Sequence, residues 1–147
     1  MTTAEKFKQL LNDMLGQRAE VSSSSNPFQC MDWAYLWTFV LGIPKSAIKH
    51  LHAYEAYTAP NATTLKYFDL IKNTVTYVPL AGDIVVFNKG TGIGPDGHIC
   101  VATGEGDVNK FKSADQNWGG KIGIQIELPA ASLAQITEAT FANLVKG

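Results

Sequence analysis

Between Cys30 and Leu41 the chain reads CMDWAYLWTFVL, apolar nearly all round, with Trp33, Ala34, Leu36, Trp37, Val40 and Leu41. A helix without a polar stripe has to be enclosed, so the rest of the fold must wrap around it. Gly42 and Pro44 follow directly, and these residues stop a helix. Neither this run nor any other approaches the ~20 apolar residues of a membrane span. The prediction is a central buried helix inside one domain, for which 147 residues supply a single sizeable core.

The flanking segments supply the wrapping. Thr3 to Leu15 carries apolar residues at Ala4, Phe7, Leu10, Leu11, Met14 and Leu15, ended by Gly16, which is helical spacing. The SSSSN stretch reads as a loop within the domain, because the fragment before it is too short to fold alone. Ser46 to Tyr57 reads as a weaker helix and Thr63 to Lys72 as a third short one. After Pro79 the period changes. GDIVVFN, HICVATG, KFKSADQNW and KIGIQIEL read as four strands, with GTGIGPDG a glycine-rich loop between the first two. Ser132 to Gln135, SLAQ, resembles a capping box, so residues 129–147 read as a helical extension to a core of 3–128. Helices followed by an antiparallel sheet give an α+β class.

Composition excludes several functions. With 46% hydrophobic residues, 17% charged and a formal net charge of −1, nothing favours nucleic acid, an anionic membrane or a disordered tail. The start, MTTAEKFKQLL, is too polar for a signal peptide, so synthesis in the cytoplasm without one is expected. Two cysteines are too few for a disulfide scaffold, and a Cys30–Cys100 bridge is not implied.

The chemistry centres on Cys30. Asn26-Pro27 sets a turn, and Cys30 falls in the first turn of the central helix. Free backbone N–H groups and the helix dipole favour an anion there, and the thiolate is the nucleophilic form of cysteine. Free cysteines are mostly packing residues, and Cys100, in mid-strand between Ile99 and Val101, fits that role. Cys30 fits it less well, with Gln29 before it and Asp32 close behind. Of the three histidines, His50 and His52 read as surface or packing residues, whereas His98 opens a strand after the glycine-rich loop. A cysteine at a helix start with a histidine at a later strand start suits acyl transfer. Asp115 and Asn117 lie two apart on a strand, hence on one face with Gln116 on the other, and either can orient the imidazole. GTGIGPDG lacks the Lys-Ser/Thr of a phosphate loop. The histidines give no plausible zinc set beyond the His50/His52 pair.

Taken together, QCMDWA, PLAGDIVVF, DGHICVATG and DQNW, in that order, resemble a CHAP domain, the cysteine, histidine-dependent amidohydrolase/peptidase of phage endolysins and bacterial cell-wall hydrolases. The resemblance covers about Thr3 to Leu128. It implies a papain-like fold, with the nucleophile at a helix N-terminus packed on an antiparallel sheet. It implies Cys30 as nucleophile and His98 as general base. Asp115 falls where related phage enzymes often carry Glu and Asn117 where they carry Asn; Asp115 is expected to orient His98 and Asn117 to support the cleft. Gln29, with the Cys30 N–H, is implied for the oxyanion, and Trp118 as lining the cleft or packing in the core.

The expected activity is hydrolysis of a peptidoglycan amide, by an endopeptidase or an N-acetylmuramoyl-L-alanine amidase. The partner is then bacterial peptidoglycan, with no nucleic acid and no membrane. A monomer is expected, alone or as one domain of a longer chain with a wall-binding module. Release by a holin or lysis, or carriage on a virion, would bring it to the wall. No metal or organic cofactor is expected. Many phage relatives carry calcium-binding acidic residues before the cysteine, but here the stretch from Glu20 to Asp32 holds carboxylates only at its two ends. The alternatives are another papain-like amidase or transpeptidase, a toxin acting on protein amides, and a non-catalytic wall-binding module.

Overall fold

A computed structural model of the chain describes residues 2–19, 30–49, 59–72, 78–87, 98–106, 111–116, 125–127 and 140–144. Helix α1 spans Thr3–Met14 and opens with a capping box in which Thr2 and Glu5 each accept from the other's backbone N–H. Helix α2 spans Cys30–Val40. It ends as the sequence predicts: Gly42 takes a φ of +75°, and the Gly42 and Ile43 N–H groups reach back to the Phe39 and Thr38 carbonyls. This is a Schellman closure. No described helix is long and apolar enough to cross a membrane.

Two expected helices come out differently. The Ser46–Tyr57 segment begins as a single 3-10 turn, Lys45–Ala47, and 50–58 lie outside the described residues. The Thr63–Lys72 segment is helical only as α3, Ala62–Tyr67, capped by Asn61 and Thr64. It then turns into strand β1, Phe68–Lys72. In FDLIK, Phe68 is buried and Asp69 exposed, the alternation of a strand.

Among the described residues the sheet has six strands, against the four expected. Strands β2 (Ile84–Phe87), β3 (His98–Gly106), β4 (Phe111–Asp115) and β5 (Gln125–Glu127) follow the expected segments. Within the stretch 129–147, expected to be helical, Thr140–Leu144 forms strand β6, and the SLAQ stretch lies outside the described residues. The order is β1-β6-β2-β3-β4-β5 and every pairing is antiparallel. Thr140–Leu144 belongs to the sheet, where β6 bonds to β1 on one side and β2 on the other. The backbone hydrogen bonds of two strands outweigh a local helical preference.

The central helix is enclosed through Trp33, Ala34 and Trp37, whereas Phe39 and Val40 at its end are exposed, against the expectation of burial all round. Trp33, Ala34 and Trp37 are fully buried against Phe7 of α1 and the Ile84, Val86, Ile99, Val101 and Ala114 face of the sheet. Phe7 meets the Trp37 ring edge-on at 5.0 Å and the Trp33 ring at 6.0 Å. Each tryptophan removes about 150–250 Å² from water, roughly 4–6 kcal/mol at ~25 cal/mol per Å². Their polar atoms are satisfied: Trp33 Nε1 donates to the Ala114 carbonyl at 2.9 Å and Trp37 Nε1 to the Gly82 carbonyl at 2.8 Å.

PLAGD is built to receive the second bond. Asp83 N–H donates to the Leu80 carbonyl, and its carboxylate accepts from Leu80 N–H at 2.9 Å, closing a tight turn. Gly82 occupies that turn at a φ of +93°, and a Cβ there would sit 3.0 Å from Trp37 Cζ2. Gly82→Ala combines a left-handed backbone with a clash against a rigid ring, so it should cost about 2 kcal/mol or more. Urea unfolding checks this, and a loss under about 0.5 kcal/mol, the range of ordinary surface substitutions, would show that the turn does not hold the helix.

Candidate active site

Cys30 is the first residue of α2, half-buried at the helix start. His98 is the first residue of β3 and Asp115 the last of β4. Because Trp33 is bonded to Ala114, the helix carrying Cys30 is tied to the strand carrying Asp115 one residue from that carboxylate. The neighbouring strand β3 carries His98.

The three side chains form a chain of contacts. His98 Nε2 lies 2.7 Å from Asp115 Oδ2, with both side chains under 5% exposed. The Cys30 thiol lies close enough to the same imidazole to raise its proton affinity. Burial alone would lower the imidazole's proton affinity. The hydrogen bond to Asp115, the nearby Cys30 thiol and the negative charge of both partners override it, raising His98 from 6.5 to about 9. The site is thus arranged to hold an imidazolium at neutral pH. Tyr35, pushed up to about 12 by burial and then by the charges of Asp32 and Cys30, stays a neutral phenol.

Three supporting residues were not singled out in the sequence. Phe87, opposite His98 in the β2–β3 register, stacks on the imidazole at 6.0 Å and 21°. Ser113 donates its hydroxyl to Asp115 Oδ1. Gln116, fully buried, clamps Ala19 with two bonds: its Oε1 accepts from the Ala19 N–H at 2.7 Å and its Nε2 donates to the Ala19 carbonyl at 2.9 Å. Period two could have found Ser113, which shares a strand face with Asp115. Gln116 sits at a bend after β4, where alternation no longer applies. Gln29, Asn117 and Trp118 lie outside the described residues, as do His50 and His52.

Cys100 is fully buried, as a packing residue would be, but it sits beside the site. His98, Cys100 and Asp115 offer ligand atoms within 4.8 Å of one another, the one such trio among the described residues. Burial, then the Asp115 charge, push the Cys100 thiol well up, so it stays protonated. The 2.7 Å between Nε2 and Oδ2 is a hydrogen-bond separation. Two ligands on one tetrahedral zinc, at bonds of about 2.0 Å, stand about 3.3 Å apart. The trio therefore fits a proton-bridged pair better than a metal centre.

No family model matches the chain. It is 35% identical over 94 residues to Probable autolysin PH of Staphylococcus aureus, a stretch that is 64% of this chain and 19% of that protein. The fold matches the endolysin LysIME-EF1 with a TM-score of 0.70 at 20% identity, over 96% of this chain and 64% of that one. It matches Ly7917, solved with the hydrolyzing product of MDP, with a TM-score of 0.68 at 16% identity, over 97% and 63%. The chain therefore spans about a fifth of the autolysin and under two thirds of the endolysin chains.

Helices packed on an antiparallel sheet, with a cysteine-led helix facing a strand-borne histidine, define an α+β domain of the endolysin fold. The resemblance to CHAP-type cell-wall hydrolases is borne out by an autolysin relative and endolysin neighbours.

The raised proton affinity of His98 carries a stability consequence. An imidazole at about 9 when folded and 6.5 when unfolded stabilises the fold fully below pH 6.5, and that contribution is lost as pH rises through 9. NMR titration should place the His98 midpoint near 9 and unfolding free energy should fall across that window. Asp115→Asn should lower the midpoint and flatten the slope. A wild-type midpoint at or below 6.5 would mean the carboxylate and thiol do not act on this imidazole.

Proposed function

We propose that the chain hydrolyses an amide bond of bacterial peptidoglycan by cysteine nucleophilic catalysis. The observation that carries this reading is a buried imidazole held between a helix-start thiol and a carboxylate. Support for the substrate comes from the autolysin and endolysin relatives.

The Cys30 thiolate attacks the amide carbonyl, forming the C–S bond and a tetrahedral oxyanion. The Cys30 backbone N–H and Gln29 are assigned to that oxyanion on the family resemblance. His98, holding the proton as imidazolium, delivers it to the departing nitrogen as the C–N bond breaks, leaving a thioester and a free amine. The now neutral imidazole takes a proton from water, whose oxygen attacks the thioester. The carboxylic acid leaves, and thiolate and imidazolium are restored. Asp115 holds Nε2 throughout, so that Nδ1 is the nitrogen that exchanges the proton. The place of action is the cell wall, and the scissile bond is the sugar–peptide amide or a peptide bond of the stem or cross-bridge. On the same reading the chain acts as a monomer or as one domain of a longer protein with a wall-binding module.

Digestion of purified cell walls tests this. Cys30→Ala should lose at least about 10³-fold in rate with an unchanged circular dichroism spectrum. His98→Ala should be as damaging and the double variant no worse, because residues acting as one unit are not additive. Mass spectrometry of the digest identifies the bond from the newly freed amine. Wall hydrolysis that survives Cys30→Ala would refute the cysteine mechanism.

A further inference from the structure

Asp115 has two carboxylate oxygens, and His98 uses only Oδ2. Oδ1 accepts from the Ser113 hydroxyl, two residues back on the same face of β4. Ser113 is 0% exposed, Asp115 4% and His98 2%. With the group so enclosed, bulk water is a poor replacement for a missing donor. A carboxylate bonded through one oxygen can rotate and offer the imidazole either oxygen at varying distance. Bonded through both, it has one orientation. The Cys100 thiol lies against the same group, but a sulfhydryl is a weak donor. Among the described residues, Ser113 therefore supplies the main restraint on Oδ1.

The geometry points to Ser113 as a positioning residue, which locks the Asp115 carboxylate so that Oδ2 faces His98 Nε2. Its contribution to rate rests on the cysteine mechanism proposed above; its contribution to the His98–Asp115 pair does not. Removing the hydroxyl leaves a buried oxygen of a charged group without its donor. The carboxylate then recruits a substitute partner or turns, and its hold on the imidazolium weakens.

The experiment compares Ser113→Ala with Ser113→Thr, in the wild-type and Asp115→Asn backgrounds, by NMR titration of His98 and by cell-wall hydrolysis. Ser113→Ala should lower the His98 midpoint by about one pH unit, a tenfold change in proton affinity. It should also reduce kcat by about tenfold with little change in KM. Ser113→Thr, which keeps the hydroxyl, should restore both. In the Asp115→Asn background, Ser113→Ala should not move the midpoint further, because the restraint acts through that carboxylate. Should the alanine variant not fold, Ser113→Cys keeps the volume with a weaker donor, and it should shift the midpoint in the same direction. A midpoint unmoved by loss of the hydroxyl, or moved equally with Asp115 replaced, would overturn the assignment. Absence of wall hydrolysis by the wild-type chain would instead refute the proposed function, leaving the titration to decide the role of Ser113.

Discussion

Two indole N–H groups hold the central helix to the sheet, and the placement of the candidate site follows from them. Trp37 is bonded to the turn that launches β2, and Trp33 to the strand that carries Asp115. A helix apolar on nearly every side has no intrinsic orientation about its own axis. Hydrophobic burial alone would tolerate several rotations, and the two directional bonds remove that freedom. They also fix where the helix begins relative to β3 and β4, and so bring Cys30 within reach of His98.

The sheet divides its work between its faces. Ile84, Val86, Ile99, Val101 and Ala114 face the helix and form the core. The alternate residues Cys100, Ser113 and Asp115 are also buried, but lie together as a polar group beside His98. Such a cluster is costly to desolvate unless each charge is paired. Here the carboxylate is paired with the imidazole on one oxygen and with a serine on the other. Phe87 covers the ring. These contacts let a buried histidine keep a proton that burial would otherwise remove.

Most of the helical half was legible in the sequence because its signals are local. The periodicity of α1, the all-round apolarity of α2 and the Gly42 stop need no partner to be read. Cys30, His98 and Asp115 could be picked out as candidates because the helix start and strand segments that carry them are local features. What escaped depends on contacts distant in sequence. The 129–147 tail looks helical in isolation, and only the open slot between β1 and β2 makes Thr140–Leu144 a strand. FDLIK was absorbed into the preceding helix because five residues are too few to separate the two periods. The Gln116 clamp on Ala19 joins residues 97 apart, which no local pattern announces. Cys100 reads as packing and is buried as packing, yet its neighbours are the polar group beside His98.

In the proposed mechanism the Cys30 sulfur becomes covalently bonded to substrate. That step is tested most directly by acid-quenching the chain during cell-wall digestion and mapping the adduct by mass spectrometry. A thioester is expected on the peptide containing Cys30, absent from Cys100, that decays when digestion resumes. Steady hydrolysis with no adduct, or an adduct on Cys100 in its place, would contradict it.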